Sequence, residues 1–308
     1  MRVVRGAASA HLPPCVLAIG NFDGLHLGHQ ALLRRLRADA ETAGLACAVL
    51  TFEPHPRELF TPDAAPARLT SLREKIELLA ASGVDYLIVQ RFDRRFAAIE
   101  AESFRDDMVV RELNARQILI GDDFRFGRQR RGDVALLAAH PALQVSALSE
   151  IQHQDERISS TAVRAALANG EMEHAAALLG RAYSISGRVV GGDRIGRQLG
   201  FPTANIQLKH NRPPLLGIFV VEVHGLGGVR QAVASLGFRP TIRGGDLKPK
   251  LEVHLFDFDA DIYRRHLRVD FLHKLRDEEK YPDLESLTAQ IARDCAAARQ
   301  WFAINRPL

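Results

Sequence analysis

The first 180 residues alternate short apolar runs with segments whose apolar residues recur at helical spacing. Apolar runs closed by glycine or proline indicate buried strands, and apolar positions i, i+3, i+4 and i+7 indicate amphipathic helices. The predicted strands are 16–19, 45–52, 86–90 and 117–121. The predicted helices are 30–43, 71–82, 101–113, 172–179 and one from Ser159 or Ser160 to Asn169. This alternation predicts a parallel sheet with helices on both faces.

The pattern changes after residue 180. Short β-rich runs separated by glycine and proline then follow one another, which is typical of an antiparallel barrel or sandwich. The predicted strands are 183–190, 219–223, 232–236, 251–257 and 267–275, and a terminal helix is predicted over 285–302. We therefore expect two domains, 1–180 and 181–308, with the boundary near Arg181.

The composition is that of a soluble globular protein, with 46% hydrophobic and 25% charged residues in 308. No apolar run has the length needed to span a bilayer. Arg2 and Arg5 precede a stretch interrupted by Pro13 and Pro14, which argues against a cleaved signal peptide. The three cysteines show no metal-binding spacing, so we expect reduced thiols in a cytoplasmic protein.

The charge is distributed unevenly, with a net −2 over residues 1–180 and +6 over the remainder. A basic second half could suit nucleic acid. Against this, the charges of both signs are interspersed and only 6% of the residues are aromatic. Polyphosphate substrates account for the bias equally well, so we expect small-molecule partners, with no nucleic acid and no membrane.

The stretch 20–29, Gly-Asn-Phe-Asp-Gly-Leu-His-Leu-Gly-His, directly follows the first apolar run. A strand, a glycine turn and a helix start in this order predict a phosphate site at the helix N-terminus. His26 and His29 would stabilise charge on the α-phosphate of a nucleoside triphosphate while pyrophosphate leaves. Asn21, Asp23 and Gly28 are the accompanying phosphate-binding candidates. The alternative is a pair of surface histidines beside a turn.

Two further stretches follow later strands and so reach the same edge of the sheet. His55 lies in a Phe-Glu-Pro-His-Pro stretch, which is otherwise only a proline-stiffened loop. Asp123 and Phe124 lie in Gly-Asp-Asp-Phe-Arg-Phe-Gly. The carboxylate would contact a ribose, a flavin or a metal, and the rings of Phe124 and Phe126 would pack on a flat ligand or fill the core.

A second phosphate site is predicted where the stretch 157–164, Arg-Ile-Ser-Ser-Thr-Ala-Val-Arg, begins a helix. Ser160 and Thr161 present hydroxyl and N–H groups, and Arg164 lies one turn further on. Arg157 is a further nucleotide or flavin candidate. The alternative is an ordinary helix cap with a solvated arginine.

The glycine-rich stretch 187–205 leads into Pro-Thr-Ala-Asn. Gly187 and Gly196 would let the backbone approach ATP phosphates, although turn glycines in a barrel loop explain them singly. Thr203 and Asn205 alternate in an extended segment and offer hard oxygen ligands for Mg²⁺. Glu252, in a later strand, would act as a base on a substrate hydroxyl, unless it is simply a solvated glutamate.

Taken together and in this order, these stretches resemble the bacterial bifunctional riboflavin kinase/FMN adenylyltransferases, the prokaryotic FAD synthetases. The resemblance extends to Leu-Gly-Phe-Arg-Pro-Thr241, Leu-Glu-Val-His and Leu-Arg-Asp-Glu-Glu-Lys280. It implies a Rossmann-like nucleotidyltransferase domain followed by a small riboflavin kinase β-barrel with a C-terminal helix. It also implies that riboflavin becomes FMN, and FMN becomes FAD, each with ATP and Mg²⁺.

The resemblance further implies that Thr203 and Asn205 bind Mg-ATP, that Glu252 is the catalytic base and that Arg276 lies in the flavin-site segment. The chain departs from the expected pattern at four positions outside the proposed chemistry, namely Phe219, Ser235, Arg264 and Tyr281. A weakly associating homo-oligomer is also expected.

Two other functions fit parts of the pattern. An enzyme of the same fold could use another acceptor, such as a pantetheine phosphate or nicotinamide mononucleotide, but it would not need the barrel with Pro-Thr-Ala-Asn. A non-catalytic flavin-binding or regulatory protein would not need the intact set of His26, His29, Thr203, Asn205 and Glu252.

Overall fold

The computed structural model describes residues 1–148, 152–153, 156–192, 195–209, 212–240 and 247–306. Asp193 and Arg194 of the glycine-rich stretch and Thr241 lie outside the described residues. The chain divides by its internal contacts into two compact units. The first unit comprises residues 1–66 and 72–159, and the second comprises residues 67–71 and 160–308.

The first unit is built on a six-stranded parallel sheet with the strand order β1-β4-β3-β2-β5-β6. Its strands are β1 Arg2–Arg5, β2 Cys15–Ile19, β3 Ala46–Glu53, β4 Tyr86–Arg91, β5 Ala115–Gly121 and β6 Gln144–Leu148. A two-stranded hairpin, β7 Gln152–His153 and β8 Glu156–Arg157, follows. The α-helices are α1 Leu27–Ala43, α2 Pro56–Phe60, α3 Leu72–Ala81, α4 Arg94–Ala97, α5 Ala101–Ser103 and α6 Val134–Ala138, with a π-helix over Phe104–Glu112.

Both faces of this sheet are buried, which explains the uninterrupted apolar runs in the sequence. Along β2, Leu17 and Ile19 belong to the apolar core on one face. Val16 and Ala18 belong to the core on the other face. The predicted parallel sheet with helices on both faces is confirmed.

The second unit begins with two helices and continues as a closed antiparallel barrel, in the strand order β10-β13-β12-β11-β14-β9. Its strands are β9 Tyr183–Val190, β10 Ala204–Ile206, β11 Gly217–His224, β12 Arg230–Pro240, β13 Leu247–Leu255 and β14 His266–Arg276. Its helices are α7 Ser160–Asn169, α8 Met172–Leu179, α9 Ile195–Gln198 and the terminal α10 Leu284–Asn305. Of the two architectures that the sequence left open, the structure is the barrel.

The periodicity missed two edge strands of the parallel sheet, the three-residue strand β10 of the barrel and the type of one helix. Strand β1 is short and charged at both ends, and only its Val4 is buried. Strand β6 has no fully buried residue. The predicted helix 101–113 is a short α-helix that continues as a π-helix, in which Leu113 N donates to Met108 O. Apolar spacing cannot separate these two helix types.

By contacts, α7 and α8 group with the barrel, and α8 packs against β14 and β9. The domain boundary after residue 180 stays a prediction. Cys15, Cys47 and Cys295 are buried and free of disulfides. Burial raises the pKa of Cys15 to about 12 and the pKa values of the other two thiols to about 11. In the described parts of the chain, no helix combines the length and apolarity required to cross a membrane.

Candidate active sites

Two histidines at the start of α1 form the centre of the candidate site in the first unit. His26 is the N-cap residue, and its Nδ1 accepts a hydrogen bond from the His29 backbone N at 3.4 Å. In neutral His26 the proton therefore resides on Nε2. The two rings stack with their centroids 3.7 Å apart. The first turn of α1 thus presents imidazoles where its N–H groups favour an anion.

His29 is a neutral imidazole at neutral pH. Its pKa lies well below the ordinary value because burial disfavours the charged form, and His26 and Lys75 lower it further. Its Nδ1 is buried and has no hydrogen-bond partner among the described residues. His29 would therefore offer a ligand a hydrogen-bonding group rather than a full positive charge.

A cavity of about 270 Å³ lies against this helix start. The predicted residues that line it are His26, Gly28, His29, Asp123, Phe124 and Arg157. Arg157 Nη2 donates to Asp123 Oδ2 at 2.9 Å. A Cβ on Gly28 would lie 3.1 Å from the His26 ring, so glycine lets the two histidines and the helix start come together.

A larger cavity of about 730 Å³ adjoins the first, and Gly20, Asp123 and Phe124 line both. Asn21 and His55 also line it, and the Asn21 Oδ1 is buried without a partner in the described part of the chain. Its lining includes three arginines and seven phenylalanines, which are Phe52, Phe60, Phe92, Phe96, Phe104, Phe124 and Phe126. We call this cavity the aromatic cleft. Its seven aromatic rings suit the packing of a flat ring system.

The topology explains why these residues meet. The loops that carry His26, His55 and Phe124 follow β2, β3 and β5, which are neighbours in the sheet. Parallel strands end at one edge, where α/β proteins bind their ligands. The sequence identified Phe124 and Phe126 for this role but not the other five rings, because those rings come from a strand, a loop and helices that are separate in the sequence.

Sequence reasoning also missed Lys75, a buried lysine of α3 that is only 5% exposed. Its Nζ donates to Thr51 Oγ1 at 3.4 Å, and Thr51 Oγ1 donates to the Asn21 carbonyl at 3.2 Å. Its charge also acts on His29. Lys75 occupies a core position of its helix, where the helical periodicity predicts an apolar residue. A lysine at such a position is the sequence feature that could have identified it.

Replacing Lys75 with methionine is expected to raise the pKa of His29. The lysine cation disfavours the imidazolium form, so its removal makes protonation easier, while burial still holds the pKa below the ordinary value. An NMR titration of ¹³C-labelled histidines measures the change. Arg73→Met on the exposed side of the same helix is the matched control, because Arg73 pairs only with Glu77 in the described structure. An unchanged His29 titration in Lys75→Met would contradict the coupling.

The remaining predicted residues of this site lie elsewhere. Asp23 is 5% exposed and lines neither cavity. Ser160 and Thr161 begin α7 in the second unit, as the sequence predicts. Arg164 Nε donates to the Ala67 carbonyl at 2.6 Å, within that same unit. The part of these three residues in phosphate binding stays a prediction.

The second candidate site lies on the barrel, where β10 pairs with β13. The register sets Asn205 directly opposite Glu252. Such cross-strand neighbours lie on one face of the sheet, with Cβ atoms roughly 5 Å apart. The Asn205 Oδ1 is buried without a hydrogen-bond partner in the described residues, whereas Glu252 Oε1 lies 3.2 Å from Lys250 Nζ. A buried amide oxygen and a carboxylate thus lie side by side on one face of the sheet.

Two cavities meet beside this pair. One, of about 340 Å³, is lined by Gly192, Thr203, Asn205 and the segment 258–263. The other, of about 540 Å³, is lined by Gly196, Thr203, Glu252 and Arg276 with the loop 278–281. Thr203 is the residue that they share, so its hydroxyl lies where ligands of the two cavities would meet.

Arg276 is held firmly at the second of these cavities. Its guanidinium makes a two-point ion pair with the buried Asp294 of α10, at 2.9 and 2.7 Å. This pairing raises the pKa of Arg276 further above its ordinary value. The guanidinium also lies 5.9 Å from the centre of the Tyr281 ring. The loop 278–281 is therefore anchored near Arg276.

The predicted glycines differ in the neighbouring atoms that exclude a side chain. Gly187 packs against the Gln207 carbonyl inside the barrel sheet and lines neither cavity. A Cβ on Gly196 would lie 2.5 Å from the Phe201 carbonyl, and Gly196 does line a cavity. Gly192, which the sequence did not single out, packs on the Asn205 side chain. ATP binding by Gly187 and Gly196 stays a prediction.

Three of the four departures from the family pattern have distinct local surroundings. Phe219 is fully buried and packs edge-on against Phe271, 5.2 Å away, so a hydroxyl would meet apolar surroundings. Ser235 Oγ donates to Glu278 Oε1 at 2.8 Å. Arg264 adopts φ 65°, a left-handed conformation that a glycine would adopt without strain.

Comparison with known proteins matches both units. The family model for FAD synthetase matches residues 8–162, and the model for riboflavin kinase matches residues 179–302. Proteins named bifunctional riboflavin kinase/FMN adenylyltransferase are 46% identical in Escherichia coli strain K12, over 100% of both chains, and 45% identical in Haemophilus influenzae, over 98% of this chain and 99% of that one. A solved structure titled as a macrolide-efflux protein from Streptococcus pneumoniae has a TM-score of 0.83 at 30% identity, covering 97% of this chain and 99% of its own.

Proposed function

The chain belongs to the bifunctional riboflavin kinase/FMN adenylyltransferase family, and from this premise we propose how its residues divide the two reactions. It phosphorylates riboflavin to FMN with ATP and then adenylylates FMN to FAD with release of pyrophosphate. In our proposal the barrel site carries out the first step, and the site at the start of α1 carries out the second.

For the kinase step, we assign Glu252 as the base that removes the proton of the ribityl 5′-hydroxyl. The oxygen then attacks the γ-phosphate of ATP, the bond to the β-phosphate oxygen breaks and ADP leaves. The observation that carries this assignment is the pairing of Glu252 with Asn205 across β13 and β10. Riboflavin would occupy the cavity of Arg276, and ATP would occupy the cavity of Asn205, with Thr203 between them.

The residues at this junction fit a magnesium ion. The Asn205 Oδ1 is a buried acceptor with no partner in the described chain, and the Thr203 hydroxyl lines the same cavity. Neutral oxygen donors of this kind bind Mg²⁺ together with phosphate oxygens and water. Bound there, Mg²⁺ would neutralise phosphate charge on ATP. Thr203 and Asn205 would hold it, and Glu252 would remain the base.

For the adenylyl transfer, the FMN phosphate is already ionised and is itself the nucleophile. One of its oxygens attacks the α-phosphate of ATP, and the bond to the β-phosphate oxygen breaks as pyrophosphate leaves. This step needs positioning and stabilisation of charge more than a base. His26 and His29 supply hydrogen bonds at the helix start, and we assign ATP phosphate binding to Ser160, Thr161 and Arg164.

The flavin of FMN would occupy the aromatic cleft, since Phe124 lines both this cleft and the cavity of the histidines. Phe124→Ala is therefore expected to raise the KM for FMN about three- to tenfold, the effect of losing one ring–ring contact. The KM for riboflavin in the kinase reaction should not change. Phe124→Tyr keeps the ring and serves as the control in steady-state assays. An equal rise in both KM values would contradict this placement.

A single incubation tests the whole assignment of activities. Pure protein is mixed with riboflavin and Mg-ATP, and the flavins are resolved by chromatography over time. FMN that appears first and then gives way to FAD is the expected result. FMN alone would leave only the kinase assignment standing, and no flavin turnover would contradict both. Omission of magnesium is expected to stop FMN formation.

Three further points belong to the same proposal. The kinase domain begins after residue 180, the protein acts in the cytoplasm and it associates weakly with copies of itself. Reduced cysteines support the second point. Size-exclusion chromatography with light scattering at several protein concentrations tests the third, because a weak oligomer dissociates on dilution.

A further inference from the structure

His254 lies two residues beyond Glu252 on β13, so the two side chains share a face of the strand. Both line the cavity that also contains Thr203. The Nδ1 atom of His254 lies 2.8 Å from the Pro202 carbonyl oxygen. A carbonyl can only accept, so Nδ1 carries the proton and donates. The mechanism above gives this histidine no role.

The hydrogen bond lies where the β-ladder stops. Strand β10 begins at Ala204, which pairs with Val253, and Thr203 precedes the ladder. The peptide group between Pro202 and Thr203 therefore has no place in the strand pairing. The hydrogen bond from the His254 side chain therefore joins the segment before β10 to β13 just beyond the end of the ladder. It fixes the peptide plane from which the Thr203 side chain projects into the junction of the two cavities.

The imidazole is itself held in orientation by aromatic neighbours. Phe201 and Phe256 pack edge-on against it, with ring centroids 5.6 and 5.9 Å away. Phe201 directly precedes the bonded Pro202, so ring packing and hydrogen bond act on the same short segment. A ring fixed on two sides directs Nδ1 at one carbonyl with little loss of side-chain entropy on binding.

We propose that His254 is a positioning residue of the kinase reaction, whose Nδ1–H fixes the Pro202–Thr203 peptide and thereby places the Thr203 hydroxyl for Mg-ATP. This inference rests on the proposed role of Thr203 and Asn205. It predicts that loss of the hydrogen bond weakens the binding of the magnesium nucleotide. Because His254 also lines the cavity proposed for riboflavin, riboflavin affinity should fall, but less than Mg-ADP affinity. Adenylyl transfer from supplied FMN should be unaffected.

The test compares His254→Asn with His254→Gln. The asparagine amide reaches the position of Nδ1 and keeps the donor, whereas the glutamine amide reaches the position of Nε2 and loses it. Titration calorimetry with Mg-ADP measures the nucleotide site, and quenching of flavin fluorescence measures riboflavin binding. Loss of one hydrogen bond is expected to weaken Mg-ADP about three- to tenfold in His254→Gln. His254→Asn should stay within about twofold of the parent protein by the same measure.

Several outcomes would overturn the inference. These are unchanged Mg-ADP affinity in His254→Gln, an Asn variant as impaired as the Gln variant, or an equal loss of riboflavin affinity. The variant Thr203→Ala distinguishes a wrong positioning role of His254 from a wrong assignment of Thr203 to Mg-ATP binding. If Thr203→Ala leaves Mg-ADP affinity unchanged, the metal assignment is wrong. If it weakens binding and His254→Gln does not, only the positioning role is wrong.

Discussion

Replacing Glu252 with glutamine is expected to lower FMN formation by about 10²- to 10⁴-fold, the usual contribution of a general base. The amide keeps the size of the side chain and its place on β13, opposite Asn205. It cannot accept the proton of the ribityl hydroxyl. The KM values for riboflavin and Mg-ATP should change much less than kcat, because the substitution removes a transition-state interaction. Chromatographic detection of FMN from riboflavin measures the effect.

The second reaction provides an internal control for this variant. FAD formation from supplied FMN should proceed at the parent rate, which shows that the protein is folded. Glu222→Gln is the matched control, since Glu222 is a barrel glutamate that pairs with Arg306 at 3.2 Å and lines none of the four cavities. It should leave both activities intact. Near-normal FMN formation in Glu252→Gln would contradict the assignment of the base.

The candidate residues of the proposed kinase site were predictable from the sequence, but their arrangement was not. Residue types and spacing identified Thr203 and Asn205 as candidates, and the family resemblance added Glu252. Their juxtaposition depends on the pairing of β10 with β13, which join residues separated by about 50 positions in the chain. A hydrophobic period reports the face of a strand but not its partner strand. His254 was missed for the same reason, because its role depends on a carbonyl across the sheet.

In the first unit, too, the sequence did not predict which elements pack against one another. The predicted strand ends did bring His26, His55 and Phe124 to one edge, because strand order in parallel sheets constrains where loops gather. The full aromatic cleft could not be predicted, since its rings come from a strand, loops and helices whose mutual packing has no local sequence signature. The effect of the Lys75 charge on His29 was likewise not predictable from the sequence, although a lysine at a core position of a helix is unusual.

Replacing His29 with alanine is expected to lower FAD formation by about 10²- to 10³-fold, the range for loss of one oxyanion-stabilising donor. His29 is neutral because burial lowers its pKa, so the loss should arise from a missing hydrogen bond in the transition state. FMN formation depends on a different unit and should continue. FMN is therefore expected to accumulate when the variant is given riboflavin and Mg-ATP.

The neutral state of His29 makes this prediction more specific. If a hydrogen bond is what His29 supplies, His29→Asn, which keeps a donor, should recover part of the activity, whereas a charge effect would leave it as inactive as alanine. His11→Ala is the control, because His11 is exposed in the same unit and lines neither of that unit's cavities. Kinetics from supplied FMN separate kcat from KM. Loss of FMN formation in parallel with FAD formation would contradict two independent sites, because a change at the start of α1 would then have reached the barrel chemistry.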